Sequence, residues 1–232
     1  MIVIPHGEDA RLDVCRRRLL TSEGEAGELL CRFDEIHLLP IPTRAYPLSP
    51  RSDLCRRLLV GYALPEGWDA YACRVIDLAR DEIFLEENAR LTALGTVGHL
   101  LTEYVRALCE MKVGVLGVGR IGRYLVRYLS LLGARVVIYS SKEQKGLPEG
   151  VEQVTVDWST PPSPSLFSDL DILINTAPTP FLRENTRADV IDLASGVPIP
   201  KSIPHKKLSS LPARLYHESA GLTVYRAILR NL

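Results

Sequence analysis

One stretch constrains the fold more than any other. Lys112-Val-Gly-Val-Leu116 reads as an apolar strand, and it runs without a gap into Gly117-Val-Gly119-Arg-Ile-Gly122 and then into a helical pattern. Each glycine in that spacing has a physical task. Gly117 permits a tight turn out of the strand. Gly119 lets the main chain approach a ligand where a Cβ would collide, and Gly122 lets the helix pack closely on the strand. The helix N-terminus adds unpaired N–H groups and a partial positive charge, which together favour phosphate. The plain alternative is a glycine-bearing turn in an ordinary α/β sheet. Strand, spacing and helix in sequence favour a dinucleotide, with Gly117, Gly119, Arg120, Ile121 and Gly122 at its pyrophosphate.

The rest of the second half fits a Rossmann unit. A helix is expected over 120–132, ended by Gly133, followed by strands over 135–139, 153–156, 171–175 and 190–193. Between two of these, Pro161-Pro-Ser-Pro164 forbids a long crossover helix and predicts a loop or a single turn. A last helix over 219–232 is expected to pack back on the first domain. In the first half, strands are predicted over 1–5, 36–39 and 71–76, with helical spacing at Leu12, Val14, Cys15, Leu19 and Leu20 and again at Leu54, Leu58 and Leu59. Apolar positions between Asp81 and Cys109 predict two helices, the second over 91–109 linking the domains. The fold class that follows is α/β: a C-terminal Rossmann doubly wound parallel sheet over 111–232, and a smaller N-terminal flavodoxin-like α/β domain over 1–110 that serves substrate or partner.

Composition agrees. The 232 residues are 46% hydrophobic and 24% charged, enough apolar material for two cores in a soluble protein. No apolar run reaches the ~20 residues of a membrane helix, and the N-terminus lacks a signal-peptide pattern, so a cytoplasmic protein is expected. The five cysteines are scattered, without a C-x-x-C pair, and read as reduced, mostly buried thiols with no metal site. Every lysine lies after residue 111, which makes the second half basic and the first acidic. A basic half suits an anionic ligand, whereas no basic stripe with interleaved aromatics implies nucleic acid.

Cofactor choice turns on the end of the second Rossmann strand, where NAD binders carry an acidic residue for the ribose hydroxyl. Here stand Tyr139-Ser140-Ser141-Lys142. Two hydroxyls and an ammonium suit a 2′-phosphate, so Ser140, Ser141 and Lys142 favour NADP, with NAD as the alternative. Asn175, Thr176 and Ala177 after the fourth strand, and Ala194 after the fifth, lie at carboxyl ends beside the expected crevice. Plain turn chemistry is the competing reading for both segments.

These stretches together resemble the family of the dipicolinate synthase A chain, bacterial sporulation enzymes related in architecture to the D-2-hydroxyacid dehydrogenases. The matching residues are His6-Gly-Glu-Asp-Ala-Arg11, Leu39-Pro-Ile-Pro42, Asn88 with Thr92-Ala93 and Gly95, Val115 to Gly122, Ile174 to Pro178, Val190 to Ser195, and Ser219-Ala-Gly221. The resemblance implies oxidation of dihydrodipicolinate to dipicolinate with hydride passing to NADP, a flavoprotein-like second subunit, and Asp9, Arg11, Thr43, Asn88 and Thr92 facing the cleft. A homo-oligomer is also expected. The chain departs from the family at Leu91 and Leu94, which replace a Pro and a Glu, at Gly196-Val-Pro-Ile, and in a shortened 213–218 loop.

Hydride transfer needs an oriented substrate and usually one proton acceptor, most often His. His217 precedes the last helix, where a D-2-hydroxyacid dehydrogenase carries its acid/base histidine, and His6 follows the first strand. With Asn88 and Thr92 they are the catalytic candidates, each weighed against a structural role. His99 reads as a satisfied core or interface histidine. Arg16-Arg-Arg18 and Arg56-Arg57 read as solvated helix faces, and no arginine follows the fifth strand to clamp a carboxylate. Two further functions therefore stay open: a non-catalytic NAD(P)-binding regulatory or partner-binding protein, and a D-2-hydroxyacid dehydrogenase-like enzyme.

Overall fold

The computed structural model describes residues 1–43, 56–160, 163–178, 182, 186–196 and 199–232. Its strands are β1 (Ile2–Pro5), β2 (Glu35–Leu38), β3 (Arg57–Gly61), β4 (Arg74–Asp77), β5 (Lys112–Leu116), β6 (Arg135–Ser140), β7 (Glu152–Thr155), β8 (Ile172–Asn175), β9 (Asp189–Asp192) and β10 (Lys206–Lys207). Its helices are α1 (Ala10–Leu20), α2 (Gly24–Leu30), α3 (Glu82–Glu103), α4 (Arg120–Leu131), α5 (Leu211–Leu215) and α6 (His217–Arg230). The chain divides into one unit of Met1–Leu91 with Pro212–Leu232, and a second of Thr92–Leu211. The expected division at 110/111 thus moves at both ends. α3 crosses the boundary, and α6 belongs to the first unit.

The first unit is built on a parallel sheet of order β1-β2-β3-β4. Parallel strands need crossovers and are covered on both faces, so they read as continuous apolar runs. This explains a misreading at 58–59. Leu58 and Leu59 lie in β3, not in a helix, and point to opposite faces: Leu58 joins Val3, Ile36 and Val60, while Leu59 joins Leu39 and Trp68. Leu54, the other member of that pattern, lies outside the described residues. Arg57 opens the same strand and is buried, so it is no solvated helix face. The predicted strand near residue 71 begins later, at Arg74.

Asp9 starts α1 by accepting the Arg11 main-chain N–H at 3.0 Å, an N-cap that satisfies one of the helix's orphan donors. The apolar stripe Leu12, Cys15 and Leu19 then meets Val224, Ala227 and Ile228 of α6. The closing helix therefore completes the first core. Contact is close because Gly221 faces α1: a Cβ there would lie 2.5 Å from the Val14 Cβ and 2.7 Å from the Arg11 carbonyl oxygen. The Arg17–Glu218 ion pair across the same two helices is exposed on both sides and contributes little.

The second unit's sheet has the order β10-β9-β8-β5-β6-β7, all parallel. The chain winds outward from β5 in one direction through β6 and β7, then returns to β8 and winds the other way. The reversal lies between β5 and β8, and open α/β sheets bind ligands at such a switch point, beyond the strands' carboxyl ends. α4 buries Leu125, Val126 and Leu129 against Val113, Val115 and Ile138, and Gly133 with φ +79° follows its end as expected. Among its described residues, the proline-bearing crossover before β8 holds one 3-10 turn, Pro164–Phe167. The Tyr139 hydroxyl donates to the Leu166 carbonyl at 3.2 Å, and its ring meets Phe167 edge-on, fixing that loop to the sheet.

Two other expectations change. α3 is one helix where two were predicted, opened by the Asp81 carboxylate accepting the Phe84 N–H at 2.8 Å. Of the four described cysteines only Cys15 is buried; Cys31, Cys73 and Cys109 are exposed, because each falls at a helix end or in a loop rather than on an apolar stripe. Among the described residues no helix is long and apolar enough to cross a membrane, and no cluster of His, Cys, Asp or Glu could hold a metal.

The α1–α6 contact sets a first test. Gly221→Val should lower stability by ~1–3 kcal/mol through overpacking, read as a lower midpoint in chemical denaturation followed by circular dichroism, with NADPH binding retained.

Candidate functional site

The turn after β5 is held from two sides. The Gly117 N–H donates to the Tyr139 carbonyl at 2.9 Å, and the Gly117 carbonyl accepts the Thr176 hydroxyl at 3.0 Å. The same hydroxyl bonds the Leu116 carbonyl at 2.9 Å, so Thr176 bridges the ends of β5 and β8 at the switch point. Gly117 has φ +84°, a conformation that favours glycine, and a Cβ there would also press on Ala177 at 3.1 Å. At Gly122 a Cβ would come 2.2 Å from the Gly117 carbonyl oxygen, so a side chain is excluded by the turn itself.

Gly119 differs. Among the described residues, none beyond its own chain neighbours brings an atom within 4 Å of a Cβ built on it, so their packing does not explain the glycine. It is the N-cap of α4 and offers no side chain to the first-turn amides. A Cβ at this position would project into space that a phosphate pair approaching uncapped N–H groups needs. The residues therefore fit a dinucleotide pyrophosphate.

Around this turn lies a cleft of about 260 Å³ lined by Gly117, Val118, Gly119, Ser140–Lys142, Gln144, Trp158 and Thr176–Pro178. It brings together seven of the expected cofactor residues. Arg120, Ile121 and Gly122 follow on α4 without lining it. Asn175 and Ala194 stand behind the wall, and their bonds explain why. The Asn175 amide donates to Asp192 Oδ1 at 2.9 Å, and its oxygen accepts the Ala177 N–H at 3.2 Å. Asp192, 1% exposed, also accepts the Ala194 N–H at 3.1 Å and the Lys207 ammonium at 2.7 Å. Lys207 bonds the Ala194 carbonyl as well. A buried carboxylate paired in this way ties together the ends of β8, β9 and β10.

Beyond β6 the chain folds on the carbonyl of Lys142. The Ser140 hydroxyl donates to it at 2.6 Å, and the side-chain amides of Gln144 and Gln153 donate at 3.1 and 3.3 Å. Ser140 is buried and spends its proton on this loop, whereas Ser141 and Lys142 are exposed. Among the described residues the lining carries this lysine and no carboxylate. Sequence reasoning missed Gln144 and Trp158, and named Val118 and Pro178 only as parts of the glycine turn and of the stretch after the fourth strand. A tryptophan isolated in a polar, proline-rich segment was the one available signal.

The catalytic candidates fall on different elements. His6 follows the last residue of β1, with its Nε2 2.9 Å from His37 Nδ1 and the two rings stacked. Burial, and then the charge of His37, hold His6 below the usual imidazole value. His217 is exposed at the first position of α6, and Asn88 and Thr92 are half-buried one turn apart on α3, either side of the unit boundary. His99 is half-buried on α3, 4.0 Å from Glu103. Asp9 and Arg11 form a bidentate pair, with Arg11 also donating to the Ile41 carbonyl at 3.0 Å. The Thr43 hydroxyl donates to the Pro40 carbonyl and accepts the Tyr62 N–H. These three therefore shape the carboxyl end of the first sheet.

A sheet wound both ways from β5, with a bare glycine turn at its switch point, defines a Rossmann dinucleotide-binding protein. More narrowly, the chain belongs to the family of the D-isomer specific 2-hydroxyacid dehydrogenase, NAD binding domain, whose model matches residues 76–192, half of its length. A nicotinamide dinucleotide is the cofactor class of that domain. Among solved structures, the A chain of dipicolinate synthase from Bacillus halodurans has the same fold, with TM-score 0.73 and 20% identity over 98% of this chain and 96% of that one. The A chain of dipicolinate synthase from Bacillus subtilis gives 0.72 and 17% over 98% and 94%. D-2-hydroxyisocaproate dehydrogenase gives 0.50 and 14% over 98% and 94%. No curated protein matches the chain.

The glycines give a paired test. Gly119→Ala should leave stability within ~1 kcal/mol and weaken NADPH binding at least about tenfold, ~1.4 kcal/mol. Gly122→Ala should lose both stability and binding, since the turn must open. Calorimetric titration beside thermal melts separates the two.

Proposed function

We propose that this chain is an NADP(H)-dependent oxidoreductase that oxidises a small cyclic carboxylate, dihydrodipicolinate, to its aromatic product dipicolinate. The cofactor half of this reading is carried by one observation: a cleft whose rim beyond β6 presents Lys142 and Ser141, and whose described lining has no carboxylate. A carboxylate there would accept a ribose hydroxyl but repel a 2′-phosphate, whereas an ammonium attracts it. The substrate half is supported by the likeness of fold to the dipicolinate synthase A chains along nearly the whole sequence. A flavoprotein-like second subunit, and assembly of this chain with copies of itself, belong to the same reading.

The chain's residues divide the work. Gly117, Gly119 and the first turn of α4 bind the pyrophosphate. Thr176 and Asp192 hold the strand ends on which the nicotinamide side of the crevice rests. The dinucleotide, when bound, supplies hydride chemistry. A second reading, an NADP-binding regulatory protein without turnover, is favoured by Leu193-Ala-Ser-Gly196, where no arginine stands to clamp a carboxylate.

Lys142→Ala should weaken NADPH binding roughly tenfold and leave NADH within about twofold, measured by calorimetry or by quenching of Trp158 fluorescence. Equal loss for both cofactors would remove the case for NADP. Mixing the protein with NADP⁺, dihydrodipicolinate and the partner subunit should raise absorbance of the reduced cofactor. Tight NADPH binding without that rise would select the regulatory reading.

A further inference from the structure

The second unit has another cleft, on the flank of α4, that the glycine turn does not account for. β6 and β7 pair in parallel, yet residues 141–151 between them contain no helix. Parallel neighbours are usually joined through one. Right-handed crossovers that step in one direction, from β5 to β6 to β7, place both connections on the same face of the sheet. The slot beside α4 that a second crossover helix would fill is therefore uncovered. β7 bears the mark of this: strands of a parallel sheet are normally covered on both faces, but no residue of β7 is buried.

The slot is a cleft of about 380 Å³ between α4 and the 144–148 segment. Val118, Val126, Leu147 and Pro148 give it an apolar wall, and Arg123, Arg127 and Lys145 add three cations. No carboxylate lines it among the described residues; Glu143 and Glu149 of the same loop are exposed and lie outside the lining. Arg123 and Arg127 are four apart on α4 and so share a face, where like charges repel and an anion between them relieves the repulsion. Three cations beside an apolar wall suit a small organic body with at least two negative charges. Size argues against a helix from another chain. A helix about 10 Å across fills roughly 420 Å³ in each turn of about 5.4 Å, more than the whole cleft.

The far end of this cleft lies away from the glycine turn. α4 runs back along the sheet from the carboxyl edge, so Arg127 stands roughly 12 Å along its axis from Gly119. That is about a Debye length, and repulsion between anions held at the two ends is largely screened. The two clefts nevertheless share Val118 and Gln144. The Gln144 N–H donates to Gln153 Oε1 at 3.0 Å and its side-chain amide to the Lys142 carbonyl at 3.1 Å, which fixes the partition between them. We infer that the flank cleft is a second binding site, for a small organic anion with two or more negative charges, occupied together with the dinucleotide. Two sources carry that chemistry, an aromatic dicarboxylate and a nucleoside diphosphate. The dicarboxylate source rests on the oxidoreductase reading, in which it is the product; the site itself does not.

Calorimetric titration of the whole chain saturated with NADPH tests the site, with dipicolinate and ADP as separate probes. Excess NADPH keeps ADP out of the cofactor cleft, and at least one probe should bind with a Kd below about 1 mM. Dipicolinate binding identifies the carboxylate source and ADP binding the nucleotide source. If neither binds below that limit, the inference is overturned. Arg127→Ser combined with Lys145→Ser should weaken the bound probe at least about tenfold and leave NADPH affinity within about twofold. Both side chains are exposed, so the thermal melt of this variant should match that of the unsubstituted protein. A probe held equally well by the double variant, or displaced by NADPH, also refutes the site. Should the unsubstituted protein take up no NADPH, the dinucleotide reading falls by itself. The flank cleft is then decided by the same comparison of variant and unsubstituted protein without cofactor.

Discussion

The Gly117 carbonyl is the constraint on which the second unit depends. It is held by the Thr176 hydroxyl on one side and backed by Gly122 on the other, at a spacing that leaves no volume for a β-carbon. That wedge joins three elements at one atom: the end of β5, the start of α4 and the end of β8. Because it fixes where α4 begins, it also fixes the direction of the first-turn N–H groups. The crevice is a consequence of this packing rather than a separate feature.

In each unit a carboxylate ties neighbouring strands together. Asp192 collects the Asn175 amide, the Ala194 N–H and the Lys207 ammonium, and Glu35 collects Arg57 and His37. Burying a carboxylate, wholly or in part, is costly unless donors surround it, and each of these has donors from neighbouring strands. Such hubs add more to uniqueness of arrangement than to net stability, since a slip of one strand against its neighbour would strand a charge.

Where sequence reasoning failed, the failure has a physical cause. Leu58 and Leu59 match a helix as well as a strand, because a strand buried on both faces loses the alternation that identifies it. Arg57 beside them looks solvated in a charged dipeptide, yet it is drawn inward by Glu35, far away in sequence. Asn175 and Ala194 follow strands at the edge expected for the cofactor, and their bonds to Asp192, a residue distant from Asn175 in sequence, are set by strand order alone. The exposed cysteines were misjudged from residue type, which carries no information about whether a helix end is covered.

What the sequence determined by itself is local. The strand, the three glycines and the helix start lie within one short segment, where φ, side-chain volume and helix periodicity act on neighbours, so the glycine turn and the helix start behind it were legible in Lys112 to Leu125. The absence of an acid in Tyr139 to Lys142 was legible for the same reason. Only tertiary structure decided that α6 joins the first core through Gly221, that Ser140 folds its loop while Lys142 stays exposed, and that His6, His37, Glu35 and Arg57 form one line. Those outcomes depend on strand order and register, which bring residues far apart in the chain within bonding distance, and no local pattern encodes which strand lies beside which.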